Sequence, residues 1–274
     1  MLPLCLAQGI ARATENAAIP DKSAFNLFNA VPANLMRELQ PDRPDETETP
    51  HTVDAGHFQL EMDFANFTYN STSHEITRAW SIAPVNLKVG LLNSVDLQFV
   101  YDDYLRFPAR IGEATKSGFG DLTTRMKINL WGNDAGETAF ALLPYIKFPT
   151  STGGVGNNAV EGGMIFPFAM KLPEDFELGA ETAAGVFRNA NDSGHHEEFM
   201  DSITVDHTLI GKLSGYLEFF SNVSTERHSD WVGTADVGLE FLMTKNAQLD
   251  FGCNIGLTGT ADTAHAFAGV TLRF

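Results

Sequence analysis

Ala264-His265-Ala266-Phe267-Ala268-Gly269-Val270-Thr271-Leu272-Arg273-Phe274 is the last stretch of the chain. Read at a period of two, Ala264, Ala266, Ala268, Val270, Leu272 and Phe274 share one side. Successive side chains of a β-strand point to opposite faces, so this spacing predicts a strand with an apolar face. The preceding segment repeats the pattern, with Leu249, Phe251, Cys253, Ile255 and Leu257 against Asp250 and Asn254. Earlier still, Val237, Leu239 and Phe241 oppose Asp236 and Glu240, and Leu217 and Phe219 oppose Tyr216 and Glu218. The alternation continues back to Phe58, Leu60, Met62 and Phe64, which oppose Gln59, Glu61, Asp63 and Ala65. Pro84 interrupts the second segment and predicts a bulge or kink there.

About twelve such segments follow Gly56, each long enough to cross a bilayer as a tilted strand of about 9–11 residues. A soluble sandwich uses strands of about five or six residues. No run reaches the roughly 20 apolar residues of a membrane-spanning helix. The connections give a second test. Tight connections are expected at 93–94, 132–137, 173–175, 211–214 and 244–246. Longer polar ones are expected at 70–73, 107–117, 151–159, 189–198, 225–230 and 258–263. Short turns on one side and long loops on the other are the pattern of a transmembrane barrel. Burial between two soluble sheets accounts for the apolar faces, but it gives no reason for this alternation. The fold class expected is therefore all-β: a transmembrane, antiparallel, up-and-down barrel of about 12 strands in a bacterial outer membrane.

Composition agrees. The 274 residues carry a formal charge of −17, with 24 Gly and 21 Phe. Nucleic-acid surfaces need clustered Lys and Arg, so this balance excludes that class of partner. Of the two cysteines, Cys5 falls in the leader-like start, and Cys253 reads as a small apolar residue.

The N-terminal part reads differently. Residues 1–13 combine an apolar run, Leu2 to Ala7, with Ala11-Arg12-Ala13, and are expected to be a partial signal peptide. Residues 14–55 form a separate periplasmic segment that caps or plugs the barrel mouth, and 56–274 form the barrel. Within that segment Leu27, Phe28, Val31, Leu35 and Met36 have roughly helical spacing, which predicts short helical turns. Pro41 to Pro50 is rich in proline and acid and predicts an extended path.

Two motifs add a family resemblance. The first is Asp42-Arg43-Pro44-Asp45-Glu46-Thr47-Glu48, followed by Val53-Asp54-Ala55-Gly56-His57-Phe58-Gln59-Leu60-Glu61. The second is Gly118-Phe119-Gly120-Asp121-Leu122 with Arg125-Met126-Lys127. Together they resemble the "MetA-pathway of phenol degradation", or transporter, family of outer-membrane proteins. The resemblance implies a barrel that passes small, hydrophobic or aromatic solutes. The final strand also resembles the signal read by the outer-membrane barrel assembly machinery, with Val270, Leu272 and Phe274 as its outward residues.

The register nominates lumen-lining residues: Glu61, Asp63, Asp121, Arg125, Lys127, Glu177, Glu181, Asp206, Glu218, Asp236, Glu240 and Asp250. Acids outnumber bases, so a confined passage lined by them favours cations. The alternative is a closed interior in which the acids pair with Arg125, Lys127, Lys147 and Arg273. Gly118 to Asp121 lacks the spacing and the Lys of a phosphate loop and reads as a turn or lumen kink. His195-His196-Glu197-Glu198 falls in an expected outer loop, without converging partners for a metal. No nucleophile motif accompanies any histidine, so no catalytic residue is expected. No metal or cofactor is expected either. The reading is a passive channel whose partners are the lipid bilayer, the assembly machinery and a small-molecule solute. A non-conducting structural or surface-interaction barrel is the alternative, and an outer-membrane enzyme a lesser one.

Overall fold

A computed structural model describes residues 21–71, 76–107, 116–190 and 193–274. The expected signal peptide lies outside them. The strands are β1 (Phe58–Ser71), β2 (Ile76–Leu92), β3 (Val95–Phe107), β4 (Lys116–Phe119), β5 (Leu122–Trp131), β6 (Thr138–Phe148) and β7 (Glu161–Lys171). They continue with β8 (Phe176–Arg188), β9 (His195–Ile210), β10 (Leu213–Ser224), β11 (Val232–Thr244), β12 (Ala247–Gly256) and β13 (Ala264–Arg273). All pairings are antiparallel between neighbours. β1 pairs with both β2 and β13, and β2 pairs onward with β3, which closes the sheet into a barrel. β4 and β5 both pair with β3 and are one strand broken at Gly120–Asp121, so the barrel has twelve strands. The break falls on the Gly-Asp motif, read as a kink in the sequence.

Closure satisfies the backbone within the wall, and side chains do the rest. Leu217 is 68% exposed on the outer face and its neighbour Glu218 is 5% exposed on the inner one. Phe251 and Asp250 split the same way at 52% and 5%. An apolar outer belt around a polar interior is stable only in lipid, which makes the molecule a transmembrane barrel. Among the described residues no helix is long and apolar enough to cross a membrane.

Three details depart from the sequence reading. Residues 21–57 contain no helix. The turn at Asn26–Asn29 spends its backbone on β2 instead, with Leu27 N–H donating to the Leu91 carbonyl at 2.9 Å. Pro32 also holds Val31 extended, which breaks the helical spacing. In β1 a bulge at Asp63/Ala65 turns Ala65 outward, opposite Ala268, so Ala65 leaves the face of Asp63. β2 runs through Pro84 without a register shift. Its pairing with β1 is interrupted there, between Val85 and Ser81, where proline has no N–H to give.

Two inward tyrosines fit into glycine gaps. Tyr216 lies over Gly238 and Gly252, and Tyr145 over Gly163 and Gly185. A Cβ on Gly238 would sit 2.3 Å from Tyr216 Cε1 and 2.5 Å from the Phe251 carbonyl. Gly238→Ala is therefore expected to destabilise the barrel by about 1–3 kcal/mol through overpacking. The check is the temperature at which the compact band on an unheated detergent gel converts to the unfolded one, which should fall.

Candidate functional site: the barrel lumen

Residues 41–53 run through the lumen and are bonded to its wall. Asp42 is the centre of one set. Its carboxylate takes Lys127 Nζ at 2.5 Å and Lys88 Nζ, and its N–H donates to Glu61 at 3.2 Å. Lys88 also pairs with Glu61, and Lys127 Nζ donates to the Thr49 carbonyl at 2.6 Å. Arg43 forms the second set, reaching Asp63 at 2.5 Å and Asp250 at 2.7 Å. A third set lies on the far wall. Glu218 accepts the N–H groups of Glu46 and Thr47, both at 2.9 Å, and Glu181 accepts that of Glu48 at 2.8 Å. The Glu48 carboxylate itself turns back to the first wall, where it pairs with Arg125, two residues before Lys127 on β5. Thr47 Oγ1 lies 2.7 Å from Ser202 Oγ. An extended chain leaves its own N–H groups free, and the inward carboxylates satisfy them.

Nearer the short-turn end, Asp54 takes Lys22 at 3.2 Å and the Arg37 N–H at 2.8 Å, while Asp134 takes Arg37 Nε at 3.0 Å. Val53 N–H donates to Asp96 at 2.9 Å. Burial opposes the charge of Asp134, but Asn93, Lys22 and Arg37 together hold its carboxyl below the usual range.

Eight of the nominated residues thus face the threaded segment or its anchors: Glu61, Asp63, Arg125, Lys127, Glu181, Glu218, Asp250 and, beside Glu218, the buried Asp236. Asp121 sits apart at the loop end, accepting the Ser151 N–H at 2.9 Å and Lys147 at 3.2 Å. Glu177, Asp206 and Glu240 line a cavity of about 720 Å³ between the segment and the wall at the turn end. Val270 and Leu272 are half-buried on the outer register and Phe274 is exposed; Phe274 exchanges backbone hydrogen bonds with Phe58.

His195 to Glu198 open β9 and do not form a loop. His196 is held between Asn189 at 2.9 Å and Glu198 at 3.0 Å, so its ring nitrogens are both used within the wall. Among the described residues no group of three or more His, Cys, Asp and Glu is placed to hold a metal.

Sequence reasoning missed Asp42, Arg43 and Glu48 as site residues because an extended segment has no periodicity to read. It also passed over Lys88 and Gln98, although both are inward by the same alternation and 1% and 0% exposed. An inner apolar patch escaped it too: Leu143, Ile165 and Ala183 cluster on the inside with Tyr145 and Met200. Leu143 and Ile165 look like any other strand residue unless the register is followed from Phe140 and Met164.

His51, in the segment, lines a second cavity at the turn end. Burial, with Lys127 and Arg37 near it, pushes its imidazole well below the ordinary value of 6.5. The segment therefore holds the neutral ring more readily than the unfolded chain does. That contribution is complete above about pH 6.5 and is lost as the pH falls below it. Between neutrality and about pH 5, residues 47–53 are expected to lose more protection in the unaltered protein than in His51→Gln, the difference being the imidazole's contribution. Hydrogen exchange of those amides, corrected for its intrinsic pH dependence, is the check.

Comparison with solved structures places this architecture among outer-membrane barrels. The "COG4313 outer membrane channel from Pseudomonas putida F1" is 14% identical, with a TM-score of 0.63 over 86% of this chain and 100% of that one. The NanC porin is 10% identical, with a TM-score of 0.54 over 78% of this chain and 98% of that one. None of the curated proteins compared with the sequence is significantly similar to it. A family model described as "Putative MetA-pathway of phenol degradation" matches residues 41–274, the threaded segment together with the whole barrel. The chain belongs to that family.

Proposed function

We propose that the protein is a passive channel of the bacterial outer membrane, and that movement of residues 41–53 sets its conductance. The observation that carries this reading is the construction of the lumen. Its wall is polar, it holds an extended segment bound by ion pairs and hydrogen bonds rather than a packed apolar core, and cavities of about 720 and 310 Å³ open beside that segment. The short-turn end faces the periplasm, by the rule for bacterial barrels. The fold shared with a channel and a porin supports the reading, and so does the family's description. The inner patch of Leu143, Ile165 and Met200 supports a solute that is partly hydrophobic or aromatic. The excess of lumen acids supports a preference for cations among ions.

The partners proposed with it are the bilayer, the solute and the barrel assembly machinery, for which Val270, Leu272 and Phe274 present outward residues. No nucleic-acid partner and no catalytic role are proposed. Reconstitution in planar bilayers is expected to give discrete, cation-preferring conductance steps. A barrel that stays silent even after the segment is loosened would favour the second reading, a sealed structural barrel. The ion pairs that fix Asp42 and Arg43 are the observation on that side.

A further inference from the structure

The charges of the lumen are unevenly matched. Lys88, Lys127, Arg125 and Arg43 neutralise one wall through Asp42, Glu48, Glu61, Asp63 and Asp250. On the other wall, the cavity of about 720 Å³ collects Glu177 from β8, Asp206 from β9, Glu240 from β11 and Asp45 from the threaded segment. None of these four carboxylates has a salt-bridge partner among the described residues. The cations that border the cavity are mostly committed elsewhere. Arg37 and Arg43 hold the pairs already described. Arg273 donates to the Lys245 carbonyl and to Asn246, and Lys212 to the Met243 carbonyl. Lys245 itself is exposed on the β11–β12 turn at the rim.

A second observation points to a ligand. Gln248 is 5% exposed, lines this cavity, and its amide nitrogen has no hydrogen-bond partner. A buried amide left unsatisfied is destabilising until a partner reaches the side chain. The side-chain carbonyl of Gln248 has no hydrogen-bond partner either among the described residues, and as placed it is able to accept from an N–H.

The arrangement also limits the ligand's chemistry. The carboxylates do not converge as metal ligands do, since no such group exists among the described residues. They are spread over three strands and the segment, around a space far larger than one ion. Leu39 and Leu242 lie between them and offer apolar contact to a methylene chain. We infer that this cavity binds a linear organic polycation, a solute with two or more ammonium groups spaced along a flexible chain. Each ammonium would meet a carboxylate that now lacks a partner, and Gln248 would accept a further N–H. The inference goes beyond the channel reading and does not need it, because a sealed barrel would bind equally well.

The test is calorimetric titration of the full-length, detergent-solubilised protein with spermidine, run beside Mg²⁺ and an uncharged diol of similar length. Saturable binding of spermidine alone is expected. It should weaken at least tenfold, about 1.4 kcal/mol, in the triple variant Glu177→Gln, Asp206→Asn, Glu240→Gln, and severalfold in Gln248→Leu. It should also weaken with added salt. Both variants remove unpaired groups rather than ion pairs, and the heat-modifiable gel shift confirms that each is folded. Absence of saturable binding overturns the inference. So does equal binding by the folded triple variant, or Mg²⁺ binding as tightly at the same ionic strength.

Discussion

Asp42→Ala is expected to free the threaded segment from the wall. Asp42 is the shared partner of Lys88 and Lys127, whose side chains are 2% and 0% exposed. Its removal leaves two buried ammonium groups against Glu61 and, at 3.6 Å, Glu48. Breaking one side of a buried pair costs about 3–5 kcal/mol, because the remaining charge has lost its compensation. That is enough to displace a segment held by a few such contacts, while the wall keeps its own hydrogen-bonded ladders. Conductance should rise well above that of the unaltered protein, and exchange protection of residues 42–53 should fall with the barrel still folded. The two lysines outweigh burial and hold the Asp42 carboxyl below its ordinary range. Its contribution is thus present above the unfolded value and lost only as the pH falls through the lower folded one. Mild acid leaves Asp42 charged, so its pairs with Lys88 and Lys127 persist between neutrality and about pH 5. An Asp42→Ala protein with unchanged conductance and unchanged exchange would contradict the assignment.

Leu239→Arg carries the second large effect. Leu239 is 45% exposed on the outer face of β11, between Gly215 and Phe251 in the ladder. A guanidinium there would sit in hydrocarbon, at a cost of about 2–4 kcal/mol near the midplane. Glu240, the next residue, lines the lumen cavity and has no ion pair among the described residues, so Glu240→Gln should cost almost nothing in folding. Urea titration of refolding into lipid vesicles measures both. A Leu239→Arg protein as stable as Glu240→Gln would show that the outer belt does not meet lipid.

The wall was legible because its two environments are written at period two. Leu217 and Glu218, or Phe251 and Asp250, can face lipid and water only in that register, and the segment from Ala264 to Phe274 announces it. The bulge that turns Ala65 outward was not legible, because it depends on pairing with β13 and leaves no mark in the spacing. The interior was legible as an acidic wall and no further. What occupies it is set by Asp42, Arg43, Thr47 and Glu48, in a stretch whose extended path follows from its prolines but whose position does not. Its N–H groups find Glu61, Glu181 and Glu218 only after the barrel has closed and brought strands far apart in sequence around one axis. The helical spacing at 27–36 misled for a related reason. The backbone there bonds to β2, and a tertiary partner overrides local preference.

The central claim is that residues 41–53 occupy the lumen and set its conductance. A Thr47→Cys, Ser202→Cys protein, with Cys5 and Cys253 replaced by serine, tests it most directly. The two native hydroxyls lie 2.7 Å apart across the lumen, within reach of a disulfide. The oxidised protein is expected to be silent in a planar bilayer, and reduction in place should give conductance steps. Failure of the bond to form, or equal conductance before and after reduction, would contradict the account.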